Sequence, residues 1–389
     1  MKKNIFLFLS LLLLLLCLCP LLAISATAIS AAETTSTTVS TTTTTYPTIP
    51  KLQLDWRMDL VKENVDHNTQ YRYTELTAAQ RGNSEGNDIR FALPVIRLDL
   101  KGKLNKDISY RARYRLNRST DLYPANVDET GPALDYAYVE YKGIPDLTLR
   151  FGKDCFYHGG WESSISSKDG YSYSLNSFSL YRTGVGAFYT LQKIHQFGLQ
   201  VMNNQFNEYN QEKLLYGASY QLALLGGIIN PLISYHVDPR DKQVIGGTTP
   251  AQATTSPTVA STVKATNNTY FAIGNRVKFM NFIWDVDYLA NKTEAIVDGE
   301  RDSTDKSYVS TLFYKYKSFR PQIKYAQSKA KSKDIDTYTR HDYHAVVEYY
   351  FNPAEDFRVH VGFIGQNKDK VNGSKYRDRT YMIGMAGSF

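Results

Sequence analysis

Ile108-Ser-Tyr-Arg-Ala-Arg-Tyr-Arg-Leu-Asn117 has a period of two. Ile108, Tyr110, Ala112, Tyr114 and Leu116 alternate with Ser109, Arg111, Arg113, Arg115 and Asn117. An extended chain puts these sets on opposite faces, one apolar and one carrying three guanidinium groups. The same pattern runs outward in both directions. Leu52, Leu54, Trp56, Met58 and Leu60 alternate with Gln53, Asp55, Arg57 and Asp59. Phe282, Trp284, Val286, Tyr288 and Ala290 do so with Asp285 and Asp287, and Tyr343, Ala345, Val347 and Tyr349 with His344 and Glu348. No convincing helix follows residue 32.

The connections alternate in length. Seven are short, near Gly102–Lys106, Gly143–Asp146, Gln192–His195, Gly226–Asn230, Met280-Asn281, Lys317-Ser318 and Asn352–Asp356. Eight are mostly longer, at roughly 62–87, 119–132, 154–178, 208–212, 238–267, 292–303, 328–340 and 368–377. Seven turns joining eight two-strand units make about 16 strands. The expected fold is all-β, a transmembrane antiparallel β-barrel with short periplasmic turns and longer outer loops. Strands of about 9–13 residues suit a tilted crossing of a bilayer. A soluble sandwich would have strands of about 5–6 residues, and a solenoid would show a fixed short repeat.

Composition agrees. The 389 residues hold 30 Tyr and 18 Phe, yet the mean hydropathy is −0.38. That excludes a bundle of apolar membrane helices. It suits a wall with aromatics outside and polar groups inside. Only the start of the chain is strongly apolar. Lys2 and Lys3 precede the apolar run Ile5–Leu22, and small residues follow to Ala32. This reads as a cleaved secretory signal peptide at 1–32, with cleavage after Ala28, Ala31 or Ala32. The Thr-rich stretch 33–50 reads as a disordered periplasmic spacer, and the barrel as 51–389. Removing Lys2 and Lys3 lowers the formal charge from +7 to +5, because no acidic residue precedes Glu33. Cys155 is then the single cysteine left, so no internal disulfide is expected.

The last strand reads Thr380-Tyr-Met-Ile-Gly-Met-Ala-Gly-Ser-Phe389. It resembles the terminal strand of Gram-negative outer-membrane porins of the sixteen-stranded general or phosphate-selective type. Tyr138-Val-Glu-Tyr-Lys-Gly-Ile-Pro-Asp-Leu-Thr-Leu-Arg-Phe-Gly152 resembles their fourth strand, turn and fifth strand. The resemblance covers about residues 51–389 and is one of pattern. It implies that Tyr381, Ile383 and Phe389 form part of the signal read by the barrel assembly machinery. It also implies a homotrimer in contact with outer-membrane lipid and lipopolysaccharide. The connection 154–178 is by the same resemblance the loop that folds inward and narrows the channel. His158, Trp161, Glu162, Lys168 and Asp169 lie on it, with Glu162, Lys168 and Asp169 facing the basic wall, and Gly159, Gly160 and Gly170 permit its bends.

A pore is specified by its lumen. The face opposite the apolar one carries seventeen basic residues, among them Arg57, Arg97, Arg111, Arg113, Arg115, Arg150, Arg182, Lys315, Arg320 and Lys324. Eight acids share that face: Asp55, Asp59, Asp99, Glu140, Asp154, Asp285, Asp287 and Glu348. The excess of nine favours anions over cations in a narrow aqueous channel. Arg111, Arg113 and Arg115 are expected to pass an anion stepwise; the other reading is that they pair with lumenal acids or lipopolysaccharide phosphates. Near Pro94 the alternation slips and a bulge is expected.

No Walker A loop, dinucleotide fingerprint or zinc spacing occurs. His341 and His344 fall on opposite faces of a strand, a poor metal pair. No catalytic residue, metal or cofactor is assigned, and nothing points to nucleic acid. The expected function is passive diffusion of small hydrophilic solutes and ions, anionic or neutral, leaning to anions with phosphate as one candidate. The alternative is a barrel with an adhesive or structural role, weakly favoured by the long loop 238–267; a barrel enzyme has nothing positive behind it.

Overall fold

The computed structural model describes residues 47–66, 86–117, 133–156, 159–166, 168–176, 180–203, 214–239, 243–245, 262–264, 266–295, 302–332, 335–352, 356–371 and 375–389. The expected signal peptide, most of the expected spacer, and His158 lie outside the described residues.

Eighteen strands are described. The first nine are β1 (Lys51–Asp66), β2 (Gly86–Lys103), β3 (Ile108–Arg115), β4 (Leu134–Ile144), β5 (Leu147–Phe156), β6 (Leu180–Leu191), β7 (His195–Asn203), β8 (Leu214–Leu222) and β9 (Ile229–Pro239). Then come β10 (Gln243–Ile245), β11 (Thr262–Lys264), β12 (Thr266–Phe279), β13 (Phe282–Ala295) and β14 (Ser303–Tyr314). The last are β15 (Phe319–Ser332), β16 (Ile335–Tyr350), β17 (Arg358–Lys370) and β18 (Lys375–Ser388). Sixteen of them, all but β10 and β11, form one closed antiparallel barrel in which β9 pairs with β12. Barrel closure pairs β1 with β18, from Asp55 opposite Ser388 to Asp66 opposite Arg377. Closure gives every barrel strand a hydrogen-bonded neighbour on both sides, the condition for a strand structure in lipid.

The strands follow the sequence alternation, with three differences. The connection expected at 328–340 is mostly sheet, since β15 runs to Ser332 and β16 starts at Ile335. The barrel strands range from 8 to 18 residues rather than 9 to 13. The long connection after β9 carries a ribbon of its own, β10 with β11. The bulge expected near Pro94 is present: Arg57 pairs with Val95, but Asp59 pairs with Ala92. The short turns sit where expected. Asp146, Gln192, Lys193, Leu225, Met280 and Lys317 take left-handed backbone there, as tight hairpins twisted like their strands demand.

Burial is inverted relative to a soluble protein. Leu52, Phe91, Leu199, Trp284, Ile323, Val361 and Ile383 are exposed on the outside, while Arg358, Asp99, Asp135 and Glu162 are almost fully buried inside. A wall facing lipid without and polar groups within gives this pattern. At the short-turn end a chain of ring contacts runs Phe319–Tyr349–Phe351–Phe357–Trp56–Phe389, with centroids 5.0–6.3 Å apart. Aromatics with one polar and one apolar end favour such a boundary. Tyr350, within the same run of sequence, breaks ranks and faces inward.

The interior is not uniformly polar. Three apolar clusters face inward: Val61, Tyr171, Val346 and Met382; Ala272, Leu289, Val309 and Ala326; and Phe156, Met202 and Leu215. The first is built around a residue from the connection between β5 and β6.

Candidate functional site

That connection folds into the barrel. Its first turn, a short 3-10 segment over Trp161–Ser164, is clamped by β13. Asp287 accepts the backbone N–H groups of Trp161 at 2.9 Å and Glu162 at 2.8 Å. Two amides converging on one carboxylate make charge-assisted bonds, stronger than neutral ones. Gly160 and Gly274 make room, since a Cβ at either would collide with the Asp287 carboxylate. The Trp161 indole N–H donates to the Asn230 carbonyl at 3.0 Å, and its ring lies 4.2 Å from the Arg276 guanidinium.

Further along, Glu162 forms an ion pair with Lys324 of β15 and accepts the Ser174 hydroxyl at 2.5 Å, tying the outgoing limb of the loop to the returning one. Arg97 of β2 donates to Ser166 Oγ at 2.7 Å. The tip, Lys168–Gly170, lies where β17, β18 and β1 meet. Lys168 Nζ reaches Asp356 and Ser388, and its carbonyl accepts from Arg358 at 3.1 Å. Asp169 pairs with Arg358 at 2.7 Å, and Arg57 donates to the Gly170 carbonyl at 3.1 Å. The limb returns through Tyr171 on Glu348, Ser172 on His344 and Asn176 on Ser307. These bonds tie the loop to β1, β2, β9 and β13–β18.

The basic residues therefore divide into two groups. Arg57, Arg97 and Lys324 point inward as expected, but they are buried and hold the loop. Their sequence assignment as open pore lining is corrected here: the loop covers them. Arg115 has a partner of its own. It lies at a bulge between β3 and β4 and pairs with Asp135 at 2.7 Å, so it does not share the Asp99 carboxylate that Arg111 and Arg113 reach.

That wall is β2–β5. Arg111 and Arg113 both reach Asp99, at 2.5 and 2.8 Å, and Lys101 lies 3.3 Å from the same carboxylate. Glu140 takes Lys142 at 2.6 Å and Arg150 at 2.8 Å, and Arg150 also reaches Asp154 at 3.1 Å. Five cations thus share three carboxylates, leaving an excess of two. The guanidiniums of Arg111 and Arg113 lie 4.6 and 4.7 Å from the Tyr136 ring, and that of Arg150 lies 5.1 Å from Tyr138. Those ring faces hold the planar cations in position. Arg182 stands opposite Asp154 in the β5–β6 pairing and donates to its neighbour's carbonyl at 2.9 Å. The loop half is closer to balance: Arg57, Arg97, Lys168, Lys324 and Arg358 face Asp55, Asp59, Glu162, Asp169, Glu348 and Asp356, with Lys315 and Arg320 beside them.

Lys315 and Arg320, also expected in the lumen, border a cavity of about 330 Å³ beneath the loop tip. Face counting missed the acids Glu63, Asp135 and Asp342 and the cations Arg90 and Arg340, all in interior ion pairs. Bulges and strand ends hid them from strict alternation, so the inferred excess of nine does not describe the interior. At the other end of the chain, Tyr381, Ile383 and Phe389 are exposed on the outer face.

Solved structures share this architecture at low identity. The outer membrane channel DcaP of Acinetobacter baumannii is 12% identical with a TM-score of 0.65, covering 87% of this chain and 97% of that one. In-vitro folded OmpT of Vibrio cholerae is 11% identical with a TM-score of 0.58, covering 87% and 97%. An anion-selective porin from Comamonas acidovorans is 10% identical with a TM-score of 0.55, covering 88% and 99%. No curated protein sequence matches the chain. A family profile does, over residues 64–287, from inside β1 to Asp287, the loop's clamp on β13. With that match spanning more than half of a closed sixteen-strand barrel, the chain belongs to the phosphate-selective porin O and P family.

Proposed function

We propose that this porin is an anion-leaning diffusion channel for small hydrophilic solutes and ions, phosphate among them. The observation that carries this reading is the β2–β5 wall, where Lys101, Arg111 and Arg113 crowd one carboxylate. A mobile anion completes the charge balance there, and a cation meets net repulsion. The clamped loop leaves that wall facing the lumen and sets against it a half whose charges are more nearly balanced. The family match and the anion-selective porin of the same fold support the reading.

The chain reaches the outer membrane through a signal peptide cleaved near Ala28–Ala32, and Tyr381, Ile383 and Phe389 engage the assembly machinery. It works as a homotrimer among lipid and lipopolysaccharide; a trimer form of Vibrio cholerae OmpT has the same fold, at 12% identity and a TM-score of 0.57. The test is conductance of the refolded protein in a planar bilayer across a KCl gradient. A reversal potential on the anion side is expected. No stepwise conductance would sink the channel reading, and a potential on the cation side the anion preference alone.

A further inference from the structure

The cavity beneath the loop tip is separate from the β2–β5 wall. It is bounded by Phe313, Tyr314 and Lys315 at the end of β14, Arg320 and Gln322 of β15, Glu348 and Tyr350 of β16, and by Asp169 and Asp356. Its charges are sorted by side. Lys315 and Arg320 stand on the β14–β15 side, and the three carboxylates on the loop and β16–β17 side.

The carboxylates are already engaged from behind. Glu348 accepts the hydroxyls of Tyr171 at 2.7 Å and Tyr350 at 3.2 Å, and lies 2.9 Å from Arg358. Asp169 and Asp356 pair with Arg358 and Lys168, yet about 40% of each side chain stays exposed, and both border the cavity. Although Arg320 pairs with Glu348 in the backbone register, its guanidinium turns away and lies 3.7 Å from the centre of the Tyr350 ring. Among the described residues neither Arg320 nor Lys315 has an ion-pair partner. Two cations with no carboxylate of their own thus face two half-open carboxylates across a polar cavity with aromatic walls.

We propose that this cavity is a binding site for zwitterionic solutes of the size of an amino acid or dipeptide. The solute carboxylate lies on Arg320 and Lys315, where the planar fork of arginine suits it. The solute ammonium lies toward Asp169 and Asp356, and its carbon skeleton against Phe313 and Tyr350. A volume of about 330 Å³ equals that of about eleven liquid waters, enough for such a molecule. An inorganic anion satisfies one side of the cavity and leaves the acidic side repelling it. The proposal rests on the channel reading, because the solute reaches the cavity from the lumen.

The test is ion current through the full chain in a planar bilayer with glycylglycine added at the short-turn side. N-acetylglycylglycine, which keeps the carboxylate and lacks the ammonium, is the comparison. Saturable block by glycylglycine is expected at a concentration at least tenfold below that for the acetylated compound. Arg320→Gln raises the half-blocking concentration for glycylglycine at least tenfold, and Arg320→Lys raises it less. Asp169→Asn weakens block by glycylglycine and not block by N-acetylglycylglycine, which a merely structural role for Asp169 would not sort by charge. Folding of each variant is checked by heat-dependent migration on SDS gels. Equal block by the two compounds, or unchanged block in Arg320→Gln, overturns the site. Conductance with no block overturns this proposal alone, whereas absence of conductance overturns the channel reading with it.

Discussion

The hydroxyl of Tyr171, near the loop tip, donates to Glu348 of β16 at 2.7 Å while its ring packs with Val61 of β1 and Met382 of β18. One loop residue therefore lies across the seam where the two ends of the barrel wall meet. Lys168 and Ser388 repeat the relationship in polar form at 2.5 Å.

Removing the ring should loosen loop and seam together. Tyr171→Ala deletes a buried aromatic, a loss on the order of 3 kcal/mol in a packed interior. It also leaves Glu348 short of one donor. The expected result is a lower temperature for loss of the fast-migrating folded band on SDS gels, with larger and noisier single-channel conductance. Tyr171→Phe, which keeps the ring, should recover most of the stability; equal loss in both variants would show that the hydroxyl, not the packing, holds the seam.

The base of the loop is sensitive to a single methyl group. Gly160→Ala places a Cβ against the Asp287 carboxylate. Either the carboxylate or the loop must move, breaking the bonds to Trp161 and Glu162, which are worth about 1.5–3 kcal/mol each where one partner is charged. Protease cleavage within 159–176 in detergent-solubilised protein should rise several-fold, as it should in Asp287→Asn. A cleavage pattern identical to the unmodified chain would mean that the loop is held elsewhere.

Charge at the open wall gives predictions of opposite sign. Replacing Arg111 and Arg113 together with Gln removes two cations and should move the KCl reversal potential toward zero. Asp99→Asn leaves Lys101, Arg111 and Arg113 without their shared carboxylate and should move it further toward the anion side, at some cost in stability. Raising ionic strength should shrink both differences, since the Debye length falls from about 10 Å at 0.1 M to about 3 Å at 1 M. Shifts in the same direction for the two variants would place selectivity away from this wall.

The outer face of the seam is also testable. Trp56 and Phe389 are stacked at 6.3 Å, and Leu54 and Phe389 exchange backbone hydrogen bonds at 3.0 and 3.1 Å. Phe389→Ala should reduce the yield of folded barrel in the outer membrane several-fold, with Trp56→Ala having a smaller effect. Normal yields of Phe389→Ala would remove the role proposed for that residue in assembly.

What the sequence determined by itself is the wall. A period of two is a local property: Ile108–Asn117 assigns its own faces wherever the strand ends up, and the turn residues near Met280-Asn281 mark the hairpins. Strand number, the outward aromatics and the bulge at Pro94 follow from such local signals. Tertiary structure decided which inward charges are free. Arg57, Arg97 and Arg111 look alike in sequence, each an arginine on a polar face. Only the path of the loop, clamped by Asp287 some 126 residues away from Trp161, buries the first two and leaves the third on the open wall. The same holds for Arg320, whose freedom depends on Glu348 being taken by Tyr171 and Arg358. Alternation assigns a side chain to a face, but its charge state of affairs depends on distant partners within a few ångströms, and those are set when the barrel closes around the loop.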